Sequence, residues 1–95
     1  MAAYVITDLE VFDIACYLEY QQALQPLLDD AAARYLARGG DLRVYEGDYQ
    51  PRRLVVLEFP SLEAVDDFYE SESYQALELQ RKACSGARII AVAGL

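Results

Sequence analysis

The chain has no histidine. That absence removes Ser-His-Asp and Cys-His nucleophile systems, imidazole acid–base catalysis and histidine-based metal sites. A catalyst built on these residues must use carboxylates, Tyr, Arg, Lys or Cys, or a borrowed cofactor. Cysteine is scarce too. Cys16 and Cys84 are far apart in sequence and form no CxxC pattern. They are expected to be reduced, inert thiols. No apolar run approaches the ~20 residues that span a bilayer. The N-terminal MAAYVITDLE lacks the basic region and long apolar run of a signal peptide. A cytoplasmic protein is therefore expected. Positive charge is the other deficit. Eight Lys and Arg stand against sixteen Asp and Glu, a net charge of −8. Nucleic acids and anionic membrane surfaces both need a basic face, so neither is an expected partner.

What is present is hydrophobic. Apolar residues make up 55% of the chain, too many for disorder. Ninety-five residues make one domain, expected over 1–95. A chain this short buries only about 60–65% of its unfolded surface, so a second copy would add useful apolar burial.

The pattern of elements is βαββαβ. Ala3 to Val11 reads as a strand, with Tyr4, Val5 and Ile6 followed by alternation of Asp8 and Glu10 with Leu9 and Val11. Asp13 is the expected N-cap of a helix. Along it Tyr17, Tyr20, Leu24, Leu27, Leu28 and Ala31 recur at helical spacing, and Pro26 should kink the helix or start its second half. Tyr35 to Arg38 begins a second strand, Gly39-Gly40 breaks or bulges it, and Leu42 to Glu46 resumes it. After an acidic turn comes a third strand, Arg52 to Phe59. Pro60 ends it and Ser61 caps a helix with Leu62, Val65, Phe68 and Tyr69 on its buried face. Ser71 caps a second helical piece carrying Tyr74, Leu77 and Ala83 on one side, with Arg81 and Lys82 at its C-terminal dipole end. Gly86 reads as a C′ glycine before a fourth strand, Ala87 to Ala93. Two halves joined by a hairpin give an α+β, four-stranded antiparallel sheet with helices on one face.

In the third strand Val55, Leu57 and Phe59 can face the helices. That leaves Leu54, Val56 and Glu58 on the other face. The fourth strand is apolar on both faces, through Ile89, Ile90, Ala91 and Val92. Strands apolar on both faces are covered on both, and one helix layer covers only one. A second copy of the sheet is the natural cover, so a homodimer is expected.

Several short pieces together resemble the domain-of-unknown-function family 1330. They are Arg38-Gly39-Gly40, Tyr45-Glu46-Gly47, Pro51-Arg52-Arg53 and Leu57-Glu58-Phe59-Pro60-Ser61. The opening Tyr4-Val5-Ile6, Asp8, Glu10-Val11, Asp13, Tyr17 and Tyr20 is similar to the same family, as are Phe68-Tyr69, Ser71 and Tyr74-Gln75. The resemblance covers nearly the whole chain. It implies a ferredoxin-like, dimeric α/β-barrel protein and brings no activity with it.

Function is less legible than fold. Asp8, Glu10, Arg38, Glu58 and Arg88 are strand residues placed to point into a cleft on the open sheet face. The functional expectation is a pocket in which Arg38 or Arg88 holds an anionic group while Glu58 or Asp8 handles a proton. The structural alternative is an ion-pair cluster on a solvated strand rim. Tyr17, Tyr20 and Tyr69 lie on apolar helix faces, as core tyrosines or, for Tyr17 and Tyr69, as ligand contacts. Arg38-Gly39-Gly40 is no phosphate loop, since no Gly-Lys-Ser/Thr follows. No cofactor and no metal site is assigned. Two functions compete: a dimeric barrel that binds or transforms a small organic anion, and a non-enzymatic dimer that binds a metabolite or a protein. A closed pocket of about 300 Å³ or more with converging Arg and Glu favours the first, and a filled interior favours the second.

Overall fold

The computed structural model describes residues 1–95 as a four-stranded antiparallel sheet with three helices on one face. The strands are β1 (Ala3–Val11), β2 (Arg34–Arg38), β3 (Arg53–Phe59) and β4 (Ser85–Ala93). The helices are α1 (Ile14–Asp30), α2 (Leu62–Glu70) and α3 (Glu72–Cys84). The sheet order is β2-β3-β1-β4, so the first and third strands occupy its centre. This is the ferredoxin-like arrangement that the βαββαβ pattern predicts.

Caps start the helices where the sequence places them. Asp13 Oδ1 accepts from the Cys16 N–H at 3.1 Å, and Ser61 Oγ accepts from the Ala64 N–H at 3.0 Å. Ser71 serves two helices at once. Its Oγ accepts from the Tyr74 N–H at 3.2 Å and donates to the Phe68 carbonyl at 2.7 Å. Alternation decides the two sheet faces. Ala3, Val5, Thr7 and Leu9 of β1 and Val55, Leu57 and Phe59 of β3 are buried under the helices. They pack on Tyr17, Tyr20, Leu24 and Leu28 of α1 and on Val65, Phe68 and Tyr74 of α2 and α3. Phe59, Phe68, Tyr69 and Tyr74 meet at ring-centroid distances of 4.8–5.2 Å, mostly edge to face.

The opposite face of the sheet carries no helix. Its middle row is Val56, Ile6 and Ile90, aligned across β3, β1 and β4. Beside it run Glu58, Tyr4 and Val92 on one side, and Leu54, Asp8 and Arg88 on the other. Ile90 is 62% exposed and Val92 51% exposed. The Cα trace is a slab of 36 × 36 × 17 Å, two layers thick, and only 18 of 95 residues are buried. The apolar open face is the burial this monomer leaves unused.

Several local expectations fail for identifiable reasons. Leu42 to Glu46 does not resume β2. β3 begins only at Arg53, and the last link between the strands is the Gly39 N–H to the Leu54 carbonyl at 2.8 Å. Residues beyond Gly39 therefore have no strand to pair with. The bulge predicted at the glycines lies earlier, between Tyr35 and Ala37, and Gly39 instead turns the chain with φ +69°. Gly86 is no C′ glycine. Ser85 is already extended, with φ −159° and ψ 157°, so α3 passes straight into β4. α1 runs through Pro26. The proline leaves the Gln22 carbonyl without its helical donor, and Gln22 is exposed to water there. Leu62 and Ala83, expected on buried faces, are exposed.

Candidate functional site

The strand registers bring one group of polar residues together at the end of the open face. Asp8 of β1 lies opposite Leu54 of β3 and Arg88 of β4. Glu10, two residues on, shares its face. Both Asp8 oxygens are engaged. The Tyr49 hydroxyl donates to Oδ2 and the Arg52 N–H to Oδ1, the latter at 3.0 Å. The Tyr49 hydrogen bond, helped by that backbone N–H and by the charge of Arg88, holds the Asp8 carboxyl below its usual range. The same bond pushes the Tyr49 phenol upward. Arg52 Nε lies 3.6 Å from Glu10. Together these residues line a cleft of about 440 Å³. Two carboxylates and two guanidinium groups share it, yet Arg88 makes no ion pair within 4.0 Å.

Glu58 and Arg38 do not join this group, or each other. Glu58 lies at the other end of the open face and accepts from Arg34 Nε at 2.7 Å. Arg38 is on the helix side of the sheet, its guanidinium 4.7 Å from the Tyr35 ring centroid and alongside Gln21 and Gln25 of α1. The bulge explains the separation. Arg34 pairs with Glu58 on the open face, and plain alternation would put Arg38 there too. The extra residue at Leu36 reverses the parity, so Arg38 pairs with Val55 and faces inward. Asp8 and Glu10 at one end and Glu58 at the other form no three-ligand cluster.

Tyr17, Tyr20 and Tyr69 line the interior between sheet and helices, with Tyr35, Tyr74 and Arg81. Burial pushes all three phenols upward, Tyr20 and Tyr69 the most, so they stay protonated. The cavity they share holds about 30 Å³, room for a water molecule rather than a metabolite. Arg81 is 6% exposed and its Nε has no partner. Its ion pair with Glu78 is long, at 3.9 Å. A guanidinium so placed is held by packing more than by charge. Arg81→Met is therefore expected to leave stability within about 1 kcal/mol of the parent, or to raise it, whereas Arg81→Ala should cost about 2 kcal/mol or more. Urea denaturation of the two variants checks this ordering.

Two residues of these sites escape a reading of the sequence. Tyr49 sits in a non-periodic loop and gives no signal. Arg81 looks like an ordinary C-terminal helix cation. Arg52 was findable, because it shares the parity of Leu54 and so must lie on the open face beside Glu10.

A family model described as a domain of unknown function (DUF1330) matches residues 2–95. No curated protein matches the chain. Among solved structures it is similar to RPA0582, a protein of unknown function from Rhodopseudomonas palustris. That likeness has a TM-score of 0.80 and 15% identity, over 99% of this chain and 82% of the other. A dimeric ferredoxin-like protein of unknown function from Jannaschia sp. CCS1 matches with TM-score 0.72 and 16% identity, over 99% and 100% of the two chains. SnoaB, a cofactor-independent oxygenase from Streptomyces nogalater, matches with TM-score 0.68 and 8% identity, over 99% and 93%. At these identities the likeness is one of fold.

Proposed function

Since the chain belongs to the DUF1330 family, whose name carries no activity, we propose from its geometry that it is a homodimer binding a small organic anion in the sheet-face cleft. The observation that carries the site is Arg88. It lies opposite Asp8, but both Asp8 oxygens are occupied by Tyr49 and Arg52. Its guanidinium donors are left for a ligand. A carboxylate is the group that planar fork suits best. The held-ionised Asp8 beside it can accept from a hydroxyl of the same ligand.

The dimer reading rests on the apolar open face, and the dimeric protein from Jannaschia has the same fold. Two sheets packed face to face would cover Tyr4, Ile6, Val56, Ile90 and Val92. The cleft at Asp8 and Arg88 adjoins that patch, so a partner would roof it. Coverage of this kind turns an open cleft of about 440 Å³ into a site of metabolite size.

The cytoplasm is the compartment this reading assumes, and nucleic acid is no partner for a chain of net charge −8. No helix is long and apolar enough to cross a membrane.

Calorimetric titration of the protein with a panel of small hydroxy- and keto-carboxylic acids tests the site. Arg88→Ala should weaken binding about 10- to 100-fold, the loss of a charge-assisted hydrogen-bond pair. Its mass by light scattering should not change. An acid that binds equally well to Arg88→Ala, or a panel with no binder at millimolar concentration, overturns the assignment.

A further inference from the structure

The fold brings the two cysteines together although 67 residues separate them in sequence. Cys16 lies in the first turn of α1 and Cys84 is the last residue of α3. Both thiols reach one acceptor, the Gln80 carbonyl, with Sγ–O distances of 3.8 Å for Cys16 and 3.2 Å for Cys84. The two thiols are close enough that Cys16 helps to raise the Cys84 thiol. Gln80 ties the same junction from its side chain, donating from Nε2 to the Cys16 carbonyl at 3.4 Å. The Cys84 carbonyl in turn accepts from the Phe12 and Asp13 N–H groups at 2.8 and 3.3 Å. Backbone on both sides is thus held in register around the pair.

We propose that Cys16 and Cys84 form an intramolecular disulfide when the protein meets a peroxide. Cys16 is half-buried and Cys84 is 1% exposed, so the oxidant reaches Cys16 first. Burial, and then the contact with Cys16, push the Cys84 thiol up to about 11, which suits it to the second step rather than the first. The Cys16 thiolate attacks one peroxide oxygen and the O–O bond breaks. Hydroxide leaves and takes a proton to become water, and Cys16 is left as the sulfenic acid. The Cys84 sulfur then attacks the Cys16 sulfur. The S–O bond breaks, the hydroxyl leaves with the Cys84 proton as a second water, and the S–S bond forms. Two thiols and one hydrogen peroxide become one disulfide and two waters. The bond fastens the start of α1 to the α3–β4 junction and closes a long loop, which restricts the unfolded chain.

The test uses the full chain, reduced and then exposed to a few equivalents of hydrogen peroxide. Intact mass should fall by two hydrogens, both free thiols should vanish, and a digest should hold one peptide pair joined through residues 16 and 84. The melting temperature of the oxidised protein should rise by about 5 °C or more. Cys16→Ser should abolish the mass loss and the thermal shift. Cys84→Ala should do the same, and either variant suffices if the other folds poorly. Retention of both thiols, oxygen addition without loss of hydrogen, or cross-linking between chains overturns the proposal.

Discussion

Replacing Ile90 with glutamate is expected to turn the proposed dimer into folded monomers. Ile90 is 62% exposed in the isolated chain and aligns with Ile6 and Val56 across the middle of the open face. A closed two-fold interface repeats every residue, so the variant places two carboxylates in the interface. Each would be taken from water, and the one cation in the neighbouring row, Arg88, already lies beside Asp8 and Glu10. Desolvating an unpaired charge costs several kcal/mol, so the dissociation constant should rise by about 100-fold or more. Light scattering at micromolar concentration should move from twice the 10.7 kDa chain mass to the chain mass itself. Far-ultraviolet circular dichroism should keep its α+β shape, because the core of Val5, Leu28 and Phe59 lies on the other side of the sheet. Leu79→Glu is the control. Leu79 is 74% exposed but belongs to α3, on the helix layer, so its replacement should leave the dimer intact. Dissociation by both variants, or by neither, removes the open sheet face as the interface.

The open face is legible in the amino-acid sequence because β1 and β3 alternate without interruption. Val55, Leu57 and Phe59 need only period two to be placed inward, and Glu58 outward. Cap residues are legible for a similar reason. Asp13, Ser61 and Ser71 each act within three residues of themselves. What alternation cannot carry is a change of parity. One extra residue at Leu36 moves Arg38 to the helix side and away from Glu58. Nothing in Tyr35-Leu36-Ala37 announces a bulge, whereas the glycines that seem to mark one form a turn. The cleft follows the same logic. Asp8 and Arg88 can be placed on one face by counting, but Tyr49 reaches Asp8 from a loop 41 residues away. Loops have no period from which such an approach can be worked out. The thiol pair is a third case, since α1 and α3 meet only through tertiary packing.

Gly39→Val is expected to be the most damaging of the glycine substitutions, and the reason is local. Gly39 has φ +69°, a conformation that β-branched side chains avoid. A Cβ built there would lie 2.6 Å from Arg53 Nε and 2.9 Å from its Cζ. Arg53 would have to leave a position in which its Nε is buried. The Gly39 N–H also closes the β2–β3 ladder onto the Leu54 carbonyl, so rotating the residue to a negative φ breaks that bond instead of relieving the strain. Backbone strain and displacement of Arg53 together should cost about 2 kcal/mol or more, a fall of roughly 10 °C in melting temperature for a chain this size. The neighbouring glycine separates these causes. Gly40 has no positive φ, and nothing lies within 4 Å of its added Cβ. Gly40→Val should therefore stay within about 0.5 kcal/mol of the parent. Gly47 has φ +99° but open space around it, so Gly47→Val should fall between the two, carrying strain without the clash. Thermal melts of the three variants read the order directly. Equal losses at Gly39 and Gly40 would show that neither the positive φ nor the Arg53 contact sets Gly39 apart. A loss at Gly47 as large as that at Gly39 would leave the contact with Arg53 without effect.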